Sequence, residues 1–197
     1  MRISIQQAQE MLNGGGVVAL PTETVYGLAA SLKHPSAIRA IFALKGRPSN
    51  NPLIVHIGNK HEIEEFDAIK DESFEKLTQA FWPGPLTVVL KVGNGRIPAE
   101  ALAGLSTAAF RMPSQKDVLE VLKGTGPLVM PSANLSGRPS ATEARHVEAD
   151  FGIDFPVVDG GACQKGLEST VVMKQNGKWV IIREGILSDE AFLDVLG

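Results

Sequence analysis

The sequence predicts an α/β (α+β) domain built on one twisted, mixed sheet flanked by helices, spanning 1–197 as a single unit. Three observations carry that prediction. Short apolar runs of strand length alternate with amphipathic stretches of helical length. Gly and Pro fall at the joints between these stretches and not inside them. The chain has 197 residues, 44% of them hydrophobic, which suffices for one sizeable core. There is no internal repeat, low-complexity tract or linker.

Ser4 can cap a first helix with Ile5, Ala8, Met11 and Leu12 on one face. Gly14-Gly15-Gly16 stops it and leads into a strand at 16–20. A phosphate-binding glycine loop follows a strand, whereas this run precedes one, so it reads as a helix stop. Pro21 breaks the strand, Thr22-Glu23-Thr24 follows, and Gly27 ends the turn. Pro35 opens a second helix with Ile38, Ile41, Phe42 and Leu44 inward, ending at Lys45. Pro52 precedes a strand at 53–57, in which Leu53 and Val55 share one face and Ile54 and His56 the other. Short helices are expected around 60–66 and 72–81. Trp82-Pro83-Gly84-Pro85 is a rigid turn into a strand at 86–90. Further strands are predicted near 106–110, 127–131, 168–173 and 178–183, and helices near 114–123, 142–150 and 188–195.

Composition narrows the function. No apolar run approaches the roughly 18 residues of a membrane span, and MRISIQQAQEML is not a basic region followed by an apolar signal core. The expectation is a soluble, cytoplasmic protein with no membrane partner. Cys163 is the only cysteine, so no internal disulfide can form. His34, His56, His61 and His146 show no metal-binding spacing, so no metal site is expected. The net charge of −3 conceals an asymmetry. Residues 61–76 carry seven acids and two lysines, and without them 15 acids face 17 bases. The acidic stretch reads as a solvated face. The remainder is mildly basic, which suits a phosphate-bearing ligand, but the pI near 5.8 is not that of a dedicated nucleic-acid binder.

Five polar turns, each attached to an apolar strand, concentrate the chemistry: LPTETVYGL, KGRPSNNPLIVHI, STAAFRMP, MPSANLSGRPSAT and LESTVV. Lys45 and Arg47 flank Gly46, which lets the backbone approach a ligand, and Pro48 stiffens the exit. A point charge beside a planar fork suits a polyphosphate. Arg111 closes a strand, where it can grip a carboxylate through two parallel hydrogen bonds or serve as a surface ion pair. His56 also closes a strand, as a core residue or a site residue. Ser132-Ala133-Asn134, followed by Ser136 to Thr142, supplies hydroxyls, an amide and backbone N–H groups. Ser169-Thr170 interrupts an apolar strand and Arg183 ends the last one. There is no GxxxxGK[ST] loop, no GxGxxG after a strand, no GxSxG elbow and no cysteine beside a base. With no nucleophile for covalent catalysis, positioning and charge stabilisation remain, the usual strategy of phosphoryl and nucleotidyl transfer.

Taken together, PTETVYGL, KGRP-x3-PLIVHI, WPGPLT, FRMP, PSAN-x-SG, ESTVV and IIREG, in this order, resemble the YrdC/TsaC family of threonylcarbamoyl-AMP synthases, from about residue 5 to 186. The resemblance implies a twisted sheet around a large basic concave cavity. It also implies a reaction: L-threonine, bicarbonate and ATP give threonylcarbamoyl-AMP and pyrophosphate, with Mg2+ accompanying ATP. Partner proteins then transfer the group to adenosine 37 of tRNAs that read ANN codons, and direct contact with tRNA stays open. Carried over by position, Lys45, Arg47 and Arg183 would offset charge on the phosphates during the reaction. Asn51, Ser132, Asn134 and Ser140, with Thr107, would complete the ATP site. Thr24, His56, Arg111 and Ser169 would surround the threonine, Arg111 holding its carboxylate. Many members carry an acid after STVV where Met173 stands here, and in ending at Gly197 the chain resembles the short, single-domain form. Two other functions stand beside this one. Related domains make a carbamoyl-adenylate from carbamoyl phosphate, and a basic cavity also suits a non-catalytic double-stranded RNA or ribosome-assembly binding protein.

Overall fold

Ser4 starts the first helix by a reciprocal pair of hydrogen bonds. Its hydroxyl accepts from the Gln7 N–H at 3.2 Å, and its own N–H donates to Gln7 Oε1 at 2.9 Å. The structure, a computed structural model, describes residues 1–93 and 95–196. Helix α1 (Ile5–Asn13) closes at Gly14, as the glycine run implies, and leads to β1 (Val18–Leu20). The next element, β2 (Gly27–Ser31), is a strand where the sequence predicts only the end of a turn. Its residues, GLAAS, are small except for Leu28 and all are buried, so no alternation marks them. A Cβ at Gly27 would lie 3.3 Å from both Met130 Cβ and the Pro131 carbonyl oxygen, a close approach that glycine accommodates.

The chain continues through α2 (Pro35–Lys45), β3 (Ile54–His56), the short helix expected at 60–66, which is of the 3-10 type (Lys60–Phe66), and α3 (Glu72–Phe81). Then follow β4 (Leu86–Lys91), a one-turn α4 (Ala99–Leu102) absent from the sequence prediction, β5 (Thr107–Arg111) and α5 (Lys116–Thr125). The last elements are β6 (Leu128–Val129), α6 (Ala144–Phe151), β7 (Thr170–Gln175), β8 (Lys178–Arg183) and α7 (Asp189–Leu196). The eight strands form one sheet in the order β1-β2-β6-β3-β5-β4-β7-β8. The β3/β5 and β4/β7 pairs are parallel and the others antiparallel.

Strand alternation divides the sheet between core and cavity. Leu53 and Val55, Leu86 and Val88, and Ala108 and Phe110 pack into the main core with Ile38, Ile41, Phe74 and Leu77. A second cluster sits under α1 and α5, where Leu12, Val121 and Leu122 meet Val18, Ala29 and Leu128. Each fully buried large side chain contributes about 1.5–3 kcal/mol. The intervening residues Ile54, His56, Val89, Ala109, Arg111 and Val171 line the cavity. The parallel register sets His56 opposite Arg111 at the ends of β3 and β5. No helix among the described residues is long and apolar enough to cross a membrane.

Candidate active site

A cavity of about 270 Å3 opens at these strand ends. Eight residues singled out from the sequence line it: Thr24, Arg47, Asn51, His56, Arg111, Ser132, Ser169 and Arg183.

One wall comes from the end of α2. Lys45 is its last residue and is buried. Its ammonium donates to the carbonyls of Ser132 and, at 2.6 Å, Asn134, so it stands behind the wall and ties α2 to the Ser132–Arg138 loop. Burial, and then the charge of Arg47, brings its pKa down to about 8. Gly46 follows with φ +61°, a left-handed helix cap that glycine adopts without strain. No protein atom lies within 4 Å of a Cβ placed there, so the left-handed backbone by itself favours glycine at this position. Arg47 donates from Nη2 to the Pro52 carbonyl at 3.2 Å, and its Nε is buried with no partner among the described residues. The Asn134 amide donates to the carbonyls of Leu135 and Arg138 at 3.0 and 2.7 Å, leaving its buried Oδ1 without a partner among them.

The opposite wall is β7 and the end of β8. Arg183 donates from Nη2 to both the carbonyl and the hydroxyl of Ser169, each at 2.9 Å. Its Nη1 pairs with Glu168 Oε2 at 2.5 Å. Ser169 Oγ also bonds Thr87 Oγ1 at 2.7 Å, which fixes the anchor to β4.

The floor holds Arg111 and His56. Arg111 Nη2 donates to Glu23 Oε1 at 2.6 Å, and Glu23 Oε2 accepts the Ser114 N–H at 3.1 Å. Both members of this ion pair are buried. His56 Nδ1 lies 3.2 Å from the Ile54 carbonyl oxygen, which can only accept, so Nδ1 carries the proton and Nε2 is an acceptor. Burial, and then the cation of Arg111, pushes the His56 pKa down to about 3, so the ring is neutral at physiological pH. Thr24 is held by the turn after Pro21, its hydroxyl 2.8 Å from that of Thr22.

Two predicted residues lie elsewhere. Alternation puts Thr107 on the same side of β5 as Arg111, but it lines a different hollow with Lys91 and Met173. Ser140 lines a hollow with Arg138 and His146, and it meets this cavity only through its hydroxyl, which donates to Glu168 Oε1 at 3.0 Å. The two carboxylates of the site, Glu23 and Glu168, carry no role in the sequence assignment. The available signals were an acid between two threonine hydroxyls and an acid leading directly into Ser-Thr-Val-Val. The Cys163 thiol is pushed up to about 11 by burial, so it stays protonated at physiological pH.

The fold is an α/β domain on one mixed sheet, with a cavity at its strand ends lined by three arginines, Arg47, Arg111 and Arg183. The family model Sua5/YciO/YrdC, described as "Telomere recombination", matches residues 10–185, and the chain belongs to that family. It is 42% identical over 195 residues to the threonylcarbamoyl-AMP synthase of Bacillus subtilis (strain 168), covering 98% of this chain and 56% of that protein. It is 41% identical over 195 residues to the threonylcarbamoyl-AMP synthase of Pyrococcus abyssi (strain GE5 / Orsay), covering 98% of this chain and 57% of that one. A crystal structure of P. abyssi Sua5 complexed with L-threonine superposes with a TM-score of 0.93 at 40% identity, over 100% of this chain and 60% of that chain. The chain thus spans little more than half the length of these curated relatives.

Proposed function

We propose that this domain is an L-threonylcarbamoyladenylate synthase. It takes L-threonine, bicarbonate and ATP to threonylcarbamoyl-AMP and pyrophosphate, for N6-threonylcarbamoyladenosine formation on tRNA. The observation that supports this reading is that one cavity is lined by two unlike sets of residues, which we assign to the two substrates. Arg47 and Arg183, with Lys45 behind, offer cations to a polyphosphate. Arg111 and a neutral His56 offer a guanidinium fork and a bare ring nitrogen to an amino acid.

In this proposal the threonine carboxylate pairs with the Arg111 N–H groups left over by Glu23, which takes one from Nη2, and by the Gly84 carbonyl, which takes Nε, while His56 Nε2 accepts from the amino or hydroxyl group. The amine and bicarbonate condense to a carbamate with loss of water. A carbamate oxygen then forms a bond to the α-phosphorus of ATP as the α–β bridging bond breaks, and the electron pair leaves on pyrophosphate. Arg47, Arg183 and the Lys45 ammonium offset the growing charge on the phosphates. Asn51 and Ser132 line the same cavity, and the unpartnered Arg47 Nε and Asn134 Oδ1 are suited to a phosphate oxygen and a base amine respectively. Magnesium would enter on the nucleotide, held mainly by phosphate oxygens and water. Partner proteins would carry the product onward to tRNA.

The test is pyrophosphate release from ATP, magnesium, bicarbonate and L-threonine. Release that requires both threonine and bicarbonate is the expected result. Release indifferent to threonine would point to carbamoyl phosphate as substrate. No release, with salt-sensitive binding of double-stranded RNA, would favour the non-catalytic alternative.

A further inference from the structure

Among the described residues lining the cavity, Glu168 carries the only carboxylate. It lies on the wall assigned above to the phosphates and raises the proton affinity of Lys45, Arg47 and Arg183. An anion at this position is at odds with binding a second anion there. Its contacts show how the conflict is relieved. Glu168 accepts from two donors, Ser140 Oγ and Arg183 Nη1. Arg183 is held independently: Nη2 and Nε both point at Ser169, whose hydroxyl is in turn fixed to Thr87. Nη1 is therefore the free arm of an otherwise anchored guanidinium, and Glu168 can leave it without moving it. The Glu168 side chain is 35% exposed, so water can receive it when it leaves.

We propose that Glu168 is a displaceable counter-ion that sets the affinity of the nucleotide site. Without nucleotide it neutralises part of the cationic wall and occupies the Arg183 Nη1 and Ser140 donors. A polyphosphate takes those donors and drives the carboxylate into solvent. After the reaction its return to Arg183 competes with bound pyrophosphate and speeds release. The inference rests on the assignment of this wall to ATP phosphates, and it makes an unusual prediction about sign: removing a charged residue from the site tightens the ligand.

The experiment is calorimetric titration of wild type and Glu168→Gln with ATP, with inorganic tripolyphosphate and with adenosine, each with and without magnesium. Gln keeps the shape and an acceptor for Ser140 but loses the charge. Expected is a Kd for ATP and tripolyphosphate lower by about fivefold, as for a partly exposed ion pair, with adenosine changed less than twofold and a smaller salt dependence. Slower pyrophosphate release in single-turnover kinetics would accompany it. Unchanged or weaker ATP binding in Glu168→Gln would overturn the inference. Weakening confined to magnesium-containing titrations would assign the carboxylate to the metal instead. Wild type that binds neither ATP nor tripolyphosphate would overturn the nucleotide assignment itself. Glu168→Ala, with its melting temperature measured alongside, separates loss of charge from loss of fold.

Discussion

Two arginine–glutamate pairs each place an arginine on one cavity, and they differ in burial. In Arg111–Glu23 the side chains are 5% and 7% exposed; in Arg183–Glu168 they are 39% and 35% exposed. The first pair is surrounded by protein, and Glu23 spends its second oxygen on the Ser114 N–H. Breaking it strands a charge in a poorly polarisable medium. The second pair has water as an alternative partner, so breaking it costs little. The same chemistry thus serves as a fixed clamp on the floor and an exchangeable contact on the wall. Burial, not contact distance, decides which.

The largest effect should come from the clamp. Glu23→Ala leaves the Arg111 guanidinium buried and uncompensated, and urea unfolding should show a loss of about 3–5 kcal/mol. Arg183→Ala should cost no more than about 1 kcal/mol while weakening ATP binding. Equal losses in the two variants would break the comparison. Next comes the fork. Arg111→Lys keeps the charge beside Glu23 but loses the parallel hydrogen-bonding arms, so threonine affinity should fall about tenfold or more with ATP affinity nearly unchanged. Comparable losses for both ligands in calorimetry would refute the assignment of the two sets of residues to the two substrates.

The buried floor should also respond to acid. The native pKa of His56 is about 3, below its ordinary value near 6.5, so its contribution is complete above pH 6.5. As pH falls from there toward 3, the unfolded chain takes up a proton that the native protein refuses, and stability declines by up to about 1.4 kcal/mol per pH unit. Unfolding of wild type and His56→Asn at pH 6.5 and 5.5 measures it; equal slopes would mean that the ring titrates normally in the fold.

Much of this arrangement was legible in the sequence where a local rule governs it. The Ser4 cap, the end of α2 at Lys45 and the bounds of β8 follow from capping residues, glycine and alternation, each set by neighbours within a few positions. Alternation also placed His56 on the face opposite Leu53 and Val55. Strand β2 was not legible, because all of its residues are buried and four of the five are small, which leaves no period. Nor were the two carboxylates. Arg111 and Glu23 are 88 positions apart in the chain, and no local pattern shows that an acid between threonines will be buried against a distant arginine. For Thr107, period two gives its side of the strand but not its distance along it, and four residues of strand span about 13 Å.

The smallest effect tests the principle outside the cavity. Lys60 and Glu75 meet at 2.5 Å on the outer, acidic face, at the same separation as Arg183 and Glu168. Their side chains are 38% and 47% exposed, and they edge a separate hollow with Gln79 and Trp82, away from the strand-end cavity. Water screens the pair, and ordering two long side chains costs entropy. A double-mutant cycle with Lys60→Ala and Glu75→Ala should give a coupling of about 0.5 kcal/mol or less, vanishing in 1 M salt, where the Debye length is about 3 Å. A coupling there that matched the Arg111–Glu23 pair would mean that contact distance governs these interactions. The exchangeable role of Glu168 would then lose its physical basis, because its equally short contact would hold it in place.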